Sequence, residues 1–211
     1  MIKQISPIDI EGIYEDYIDK KQEDNRLDRY EGRESWYHGS GAGSCSRKLY
    51  FESVQQAEPT NPIDTRTKRL LRLGSIVHDD IQSSLTHTHY NKVLNNKVHN
   101  NKKETNNKEK SIEFHVEKNV EIPELNVRGY YDIVADEFPD DSDNRKVYLY
   151  DIKTCGGYSW KLKFGRNKQF SPSIHYELQL GTYGYAIKEK FGQLDGMFLY
   201  FYNKDTSQMR A

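Results

Sequence analysis

Three runs rich in β-branched and aromatic residues, spanning 112–123, 125–138 and 147–153, follow one another with only short polar breaks. Strands joined so closely pair as antiparallel neighbours, because a parallel partner needs a crossover of a dozen residues or more. A three-stranded meander is therefore the frame on which the remaining segments must be placed. Within it the second run reads VRGYYDIVAD and the third VYLYDIKT. Side chains alternate across a strand, so residues i and i+2 share a face. Asp151 and Lys153 accordingly point the same way, with Ile152 in the opposite layer. Where the two runs are neighbours, Asp132 comes beside Asp151, and two carboxylates next to a lysine can grip one hard cation.

Ser6-Pro7 opens a helix over 7–22, on which Ile10, Ile13, Tyr14, Tyr17 and Ile18 recur at helical spacing. Its solvent face is acidic and unsuited to DNA. HGSGAGSCSRKLYFE begins as a glycine-rich loop and passes into a helix over 45–53, with Arg47 and Tyr50 on one side. Pro59 and Pro62 end it. Asp64 caps a third helix, where Leu70, Leu73, Val77, Ile81 and Leu85 form an apolar stripe and His78 stands at its edge. On that helix alone, a histidine is more simply a packed or solvated residue than a ligand. Residues 86–111 have the Asn- and Lys-rich composition of a flexible excursion, and their histidines lack zinc-like spacing.

After the meander, CGGYSWKLKFGRNKQFSPS reads as a loop in which Lys161, Lys163, Arg166 and Lys168 interleave with Trp160, Phe164 and Phe170. Such mixing suits phosphate contact with base stacking, and equally a plain basic surface. Ser173 caps a helix to about Lys190, on which Gln179 and Tyr183 lie one turn apart. GMFLYFY, over 196–202, reads as a strand buried on both faces that crosses over to pair in parallel. The expected architecture is mixed α/β: an αβββαβ core over 63–211, its mixed sheet flanked by helices, with residues 1–62 as an N-terminal helical extension packed on it.

Composition limits what such a chain can do. At 211 residues it is long enough for one domain with a real core. The formal net charge is -1, so affinity for nucleic acid must rest on local basic patches. No apolar run reaches bilayer length and MIKQISPIDIEG lacks the apolar stretch of a signal peptide, so a cytoplasmic location with no membrane partner is expected. Cys45 and Cys155 are the only cysteines, too few for a disulfide framework.

GSIVH, GYYD, DIKT and QLGTY, taken in that order on those elements, resemble the PD-(D/E)XK nuclease superfamily and specifically its RecB-like exonuclease branch. The likeness covers Arg72 to Lys204, about two thirds of the chain. Each motif alone is weak, and the four in sequence are specific. The resemblance implies a restriction-endonuclease-like core and a metal-dependent deoxyribonuclease acting on DNA, in the setting of repair or recombination. It assigns Asp132, Asp151, the Ile152 carbonyl and His78 to Mg²⁺ or Mn²⁺, with the imidazole favouring Mn²⁺ somewhat. Lys153 would orient water and stabilise charge on the phosphate, while Gln179 and Tyr183 would line the site. Arg47, Tyr50, Trp160, Lys161, Lys163, Arg166 and Lys168 are the expected nucleic-acid contacts.

Two features depart from that pattern. The literal Pro-Asp pair is Pro139-Asp140, in a segment of turn composition, so Asp132 within the strand is the better ligand. SCSRKLYFE resembles the first-cysteine segment of relatives that carry an iron-sulfur cluster, but a cluster takes four thiolates. A cluster-free member is the expectation, and a chain continuing past Ala211 is the alternative. An exonuclease for DNA ends or single strands is the leading reading. Its rivals are a site- or structure-specific endonuclease and a catalytically silent DNA-binding subunit. No pattern in the chain names an oligomer or a recombination or replication partner.

Overall fold

The computed structural model describes residues 8–30, 36–54, 61, 63–86, 111–138, 144–166 and 174–211. The Ser6-Pro7 helix start, Pro59 and Pro62, the excursion at 87–110, Pro139-Asp140, Lys168, Phe170 and the Ser173 cap lie outside the described residues. In chain order the elements are α1 (Ile10–Tyr30), β1 (Tyr37–His38), α2 (Ser46–Ser53), α3 (Thr65–Thr86), β2 (Ser111–Ile122), β3 (Val127–Phe138), β4 (Lys146–Cys155), α4 (Gly157–Phe164), α5 (Ile174–Phe191), β5 (Gly196–Asn203) and β6 (Met209–Arg210).

The three apolar runs form the antiparallel meander β2-β3-β4. After α5, β5 returns parallel to β4, from Tyr148 opposite Gly196 to Cys155 opposite Asn203, and β6 folds back on its end. The sheet is mixed and helices cover both faces. On one face Leu180, Tyr183, Ala186 and Ile187 of α5 pack on Val120, Ile122, Val134, Val147 and Leu149. Alternation puts Val147 and Leu149 on that same side, and both are fully buried. Burying each such side chain stabilises the fold by roughly 1.5–3 kcal/mol. On the other face the end of α3 leaves a groove of about 480 Å³ over Phe114, Ile133, Tyr150 and Tyr200, with Ile81 and Leu85 forming its helical wall. Among the described residues no helix is long and apolar enough to cross a membrane.

Several expectations are corrected. Residues 157–164 form helix α4, not a loop: Trp160 and Phe164 meet at a tilt one turn apart with centroids 4.6 Å apart, and Asp205 Oδ2 accepts the Gly157 N–H at the helix start. The β5 run is not buried on both faces, since Met197 is 46% and Phe198 37% exposed. Its outer aromatic instead stacks on Tyr150 at 5.0 Å. Helix α1 also presents a different side to the core. Ile10, Ile13, Tyr14 and Tyr17 are exposed and Ile18 is buried, while the acidic face docks on α3 through Asp19–Lys68 at 2.7 Å and Glu11–Arg69 at 2.6 Å. Periodicity defines the helix, and Ile18 is the member of its apolar stripe that turns inward. Finally, the segment before residue 63 is more than helical, because β1 joins the sheet in parallel with the start of β3.

Candidate functional site

Pairing between β3 and β4 stops at Ile133 opposite Tyr150. The next two residues, Asp132 and Asp151, therefore face each other across a gap where the strands part. Because β2 takes the whole of one β3 edge, β1 occupies the other edge that β4 has left, with Tyr37 opposite Val127. In the gap, Asp132 Oδ2 accepts the Ile152 N–H at 2.6 Å, replacing the missing ladder bond. The N–H and C=O of a strand residue project to the same edge, so the Ile152 carbonyl is aimed at the gap too.

Asp151 is 2% exposed. Burial pushes its carboxyl up to about 6; the Lys153 ammonium opposes the rise and the Asp132 charge adds to it. Lys153 Nζ lies 2.6 Å from Asp151 Oδ2. The approach is too oblique for a hydrogen bond, which leaves that oxygen neutralised in charge yet without a directed donor. Lys153 donates instead to Gln179 Oε1 at 2.9 Å. Gln179 in turn hydrogen-bonds Tyr183, whose hydroxyl burial pushes up to about 12. Tyr183 is 4% exposed, wedged between β3 and the turn at Gly39–Gly41 that follows β1, where both Gly39 and Gly129 lack the Cβ that its ring would strike. The tyrosine thus stands behind Gln179, and Gln179 stands behind the lysine.

From α3, His78 Nδ1 comes to 3.6 Å from Asp132 Oδ1, a charge contact longer than a hydrogen bond. Desolvation lowers the His78 pKa, but the Asp132 carboxylate outweighs it and the net shift is upward. Asp132, Asp151, Ile152, Lys153, His78, Gln179 and Tyr183 are thus brought to one place. Two residues with no motif signal join them. Gln82, one turn after His78 and buried, donates through Nε2 to Glu117 Oε2 at 2.9 Å and to the Asp132 carbonyl at 3.2 Å. Its i+4 spacing from His78 was the one available hint.

The expected nucleic-acid residues divide. Lys163 lies over Tyr176 at 5.7 Å and Phe201 at 5.1 Å, and Tyr176 is itself 5.0 Å from Lys153 Nζ. Phe164 joins Phe201 at 5.5 Å, Trp160 follows it, and Arg210 of β6 covers Phe164 at 5.2 Å. An aromatic row flanked by cations therefore leads from the lysine along α4, with Lys161 exposed on that helix and Arg166 exposed just past its end. Arg47 and Tyr50 lie exposed on α2, tied to Phe51 and not to the carboxylates.

Among the described residues no three His, Cys, Asp or Glu side chains gather closely enough to cage a metal by themselves. The donors present are nonetheless hard oxygens: two carboxylates, one of them a buried oxygen lacking a directed donor, and a carbonyl turned to the same gap. That set suits Mg²⁺, which binds through one or two carboxylates and keeps several waters. In comparison with known proteins, no family model matches the chain and no curated protein is significantly similar to it.

Proposed function

We propose that this chain is a divalent-metal-dependent deoxyribonuclease of the PD-(D/E)XK type, acting as an exonuclease on DNA ends or single strands. With the short α4 set aside as an insertion between β4 and α5, the order α3-β2-β3-β4-α5-β5 resembles that of a restriction-endonuclease-like core, and this part of the reading is an analogy of fold. The observation that carries the function is chemical: a lysine held between a buried carboxylate and a glutamine, at the point where two strands part to oppose two aspartates. A binding surface for a polyanion gains nothing from two convergent carboxylates unless a cation lies between them.

Asp132, Asp151 and the Ile152 carbonyl would hold Mg²⁺ or Mn²⁺, with His78 at the edge. When bound, the ion supplies Lewis acidity and a more acidic water. Lys153 would direct its ammonium to a non-bridging phosphate oxygen, where charge grows as the water oxygen bonds to phosphorus and releases its proton to solvent. The P–O ester bond then breaks and the departing sugar oxygen takes a proton, leaving a phosphate monoester and a hydroxyl. Gln179, oriented by Tyr183, accepts from the ammonium and fixes its direction beside Asp151. Bases stacked along Tyr176, Phe164 and Trp160 would carry the strand away from the cut.

Incubation of linear, closed-circular and single-stranded DNA with Mg²⁺, Mn²⁺ or EDTA tests this. Metal-dependent loss of linear but not circular DNA is expected, and Lys153→Ala and Asp151→Asn should each abolish it. Cutting of closed circles would replace the exonuclease with an endonuclease. Cleavage that survives either substitution would sink the mechanism.

A further inference from the structure

Pairing along β2 and β3 is continuous in register except at one position. Val116 pairs with Ile133 and Lys118 with Tyr131, yet Glu117 and Asp132 between them do not pair. Glu117 has φ 49, a left-handed conformation that a glutamate in the middle of a strand rarely adopts. The kink turns its carboxylate to Gln82 of α3, which is 7% exposed and donates to both Glu117 Oε2 and the Asp132 carbonyl. His78, one helical turn earlier, meets the Asp132 carboxylate. Helix α3 therefore holds Asp132 at both ends, main chain and side chain, and Glu117 anchors the donor that grips the main chain. Burial raises the Glu117 carboxyl pKa, the Gln82 hydrogen bond holds it down, and the Asp132 charge adds to the rise. Strain, a missing ladder pair and a buried amide shared between two acceptors all converge on one aspartate.

We propose that Gln82 and Glu117 are positioning residues that fix Asp132 as a metal ligand, a role that rests on the metal-dependent reading above. Outer partners of ligating groups characteristically alter metal affinity by about 10–100-fold. Neither residue needs to touch metal or DNA. The backbone strain at Glu117 is what such an arrangement costs, and strain retained beside a site points to a use for it.

Titration calorimetry of Mn²⁺ into the full chain reads the proposal without requiring cleavage. Gln82→Met, of similar volume but without the amide, should weaken Mn²⁺ binding by about 10-fold or more, as should Glu117→Leu. Glu117→Gln, which keeps an acceptor for Gln82, should remain within about 3-fold of wild type. Glu117→Gly separates positioning from mere structure, because glycine relieves the left-handed backbone and should keep or raise Tm. If it also weakens Mn²⁺ binding by about 10-fold, the positioning role stands. A Glu117→Gly protein, or a folded Gln82→Met protein, that binds Mn²⁺ as wild type does would overturn it. Wild type that binds Mn²⁺ through Asp132 and Asp151 but cleaves no DNA would refute the nuclease reading and leave the positioning role standing.

Discussion

Asp151 is a buried carboxyl under marked electrostatic tension. Its carboxylate is nearly inaccessible, and the lysine beside it does not cancel the cost of burial, so its pKa stands at about 6 against an ordinary 3.8. A carboxyl whose folded pKa is raised contributes stability below its unfolded pKa and loses it as pH climbs through the folded one. The metal-free protein should therefore give up roughly 2 kcal/mol through this group between pH 4.5 and 7.5. Asp151→Asn has no such titration. In EDTA, urea unfolding of the variant relative to wild type should shift in the variant's favour by about that amount across the interval, while cleavage is lost. A difference that stays flat with pH would show that Asp151 ionises normally. In the proposed reading, a divalent charge would turn this costly buried anion into a ligand.

Between elements, the decisive contact is Tyr183 of α5 against β3 and the turn after β1. A Cβ at Gly129 would stand 2.7 Å from the Tyr183 hydroxyl oxygen and 2.9 Å from its ring. The ring is enclosed and has nowhere to go, so Gly129→Ala should cost about 1–3 kcal/mol and lower Tm by several degrees. Through Gln179 it should also slow cleavage. Gly181→Ala on the same helix meets nothing within 4 Å and should hold or raise Tm, as alanine does in an exposed helix. Equal Tm values for the two variants would remove Tyr183 from its place behind Gln179. The elements differ in how far the sequence foretells them, for a physical reason. Strand alternation is a local rule, so the shared face of Asp151 and Lys153 and the meander that brings Asp132 alongside were legible in the residues. Helix α4 was not, because its first N–H is capped by Asp205, which lies far along the chain beyond α5 and β5. Nor was the inward face of α1, where only Ile18 of the expected stripe is buried, because docking on α3 is a tertiary contact that the helical pattern does not encode. Glu117 escaped for the same reason: its conformation answers to Gln82 and to a gap in the ladder, neither of which a linear pattern encodes.

At the scale of the whole molecule, a chain of formal net charge -1 that acts on DNA as proposed would have to attract it by arrangement rather than by bulk. Acidic Glu11, Glu15 and Asp19 are engaged by Lys68 and Arg69, while Lys161, Lys163, Arg166 and Arg210 gather around α4 and the end of the sheet. Four phosphate contacts by those cations would make log K for a single strand fall with log salt at a slope of about -3. Lys153→Ala protein in EDTA holds the strand uncut, and fluorescence anisotropy of a labelled oligonucleotide reads the slope. Replacing both Lys161 and Arg166 by alanine should reduce its magnitude by about 1–1.5 and weaken binding at low salt. Arg47→Ala, on α2 and outside the aromatic row, should change it little. If instead the α2 variant lowers the slope and the α4 pair does not, the strand runs across the opposite flank. The polarity of digestion would then have to be argued from β1 and α2, because the end of the strand that first reaches Lys153 is set by the side from which the rest of it is held.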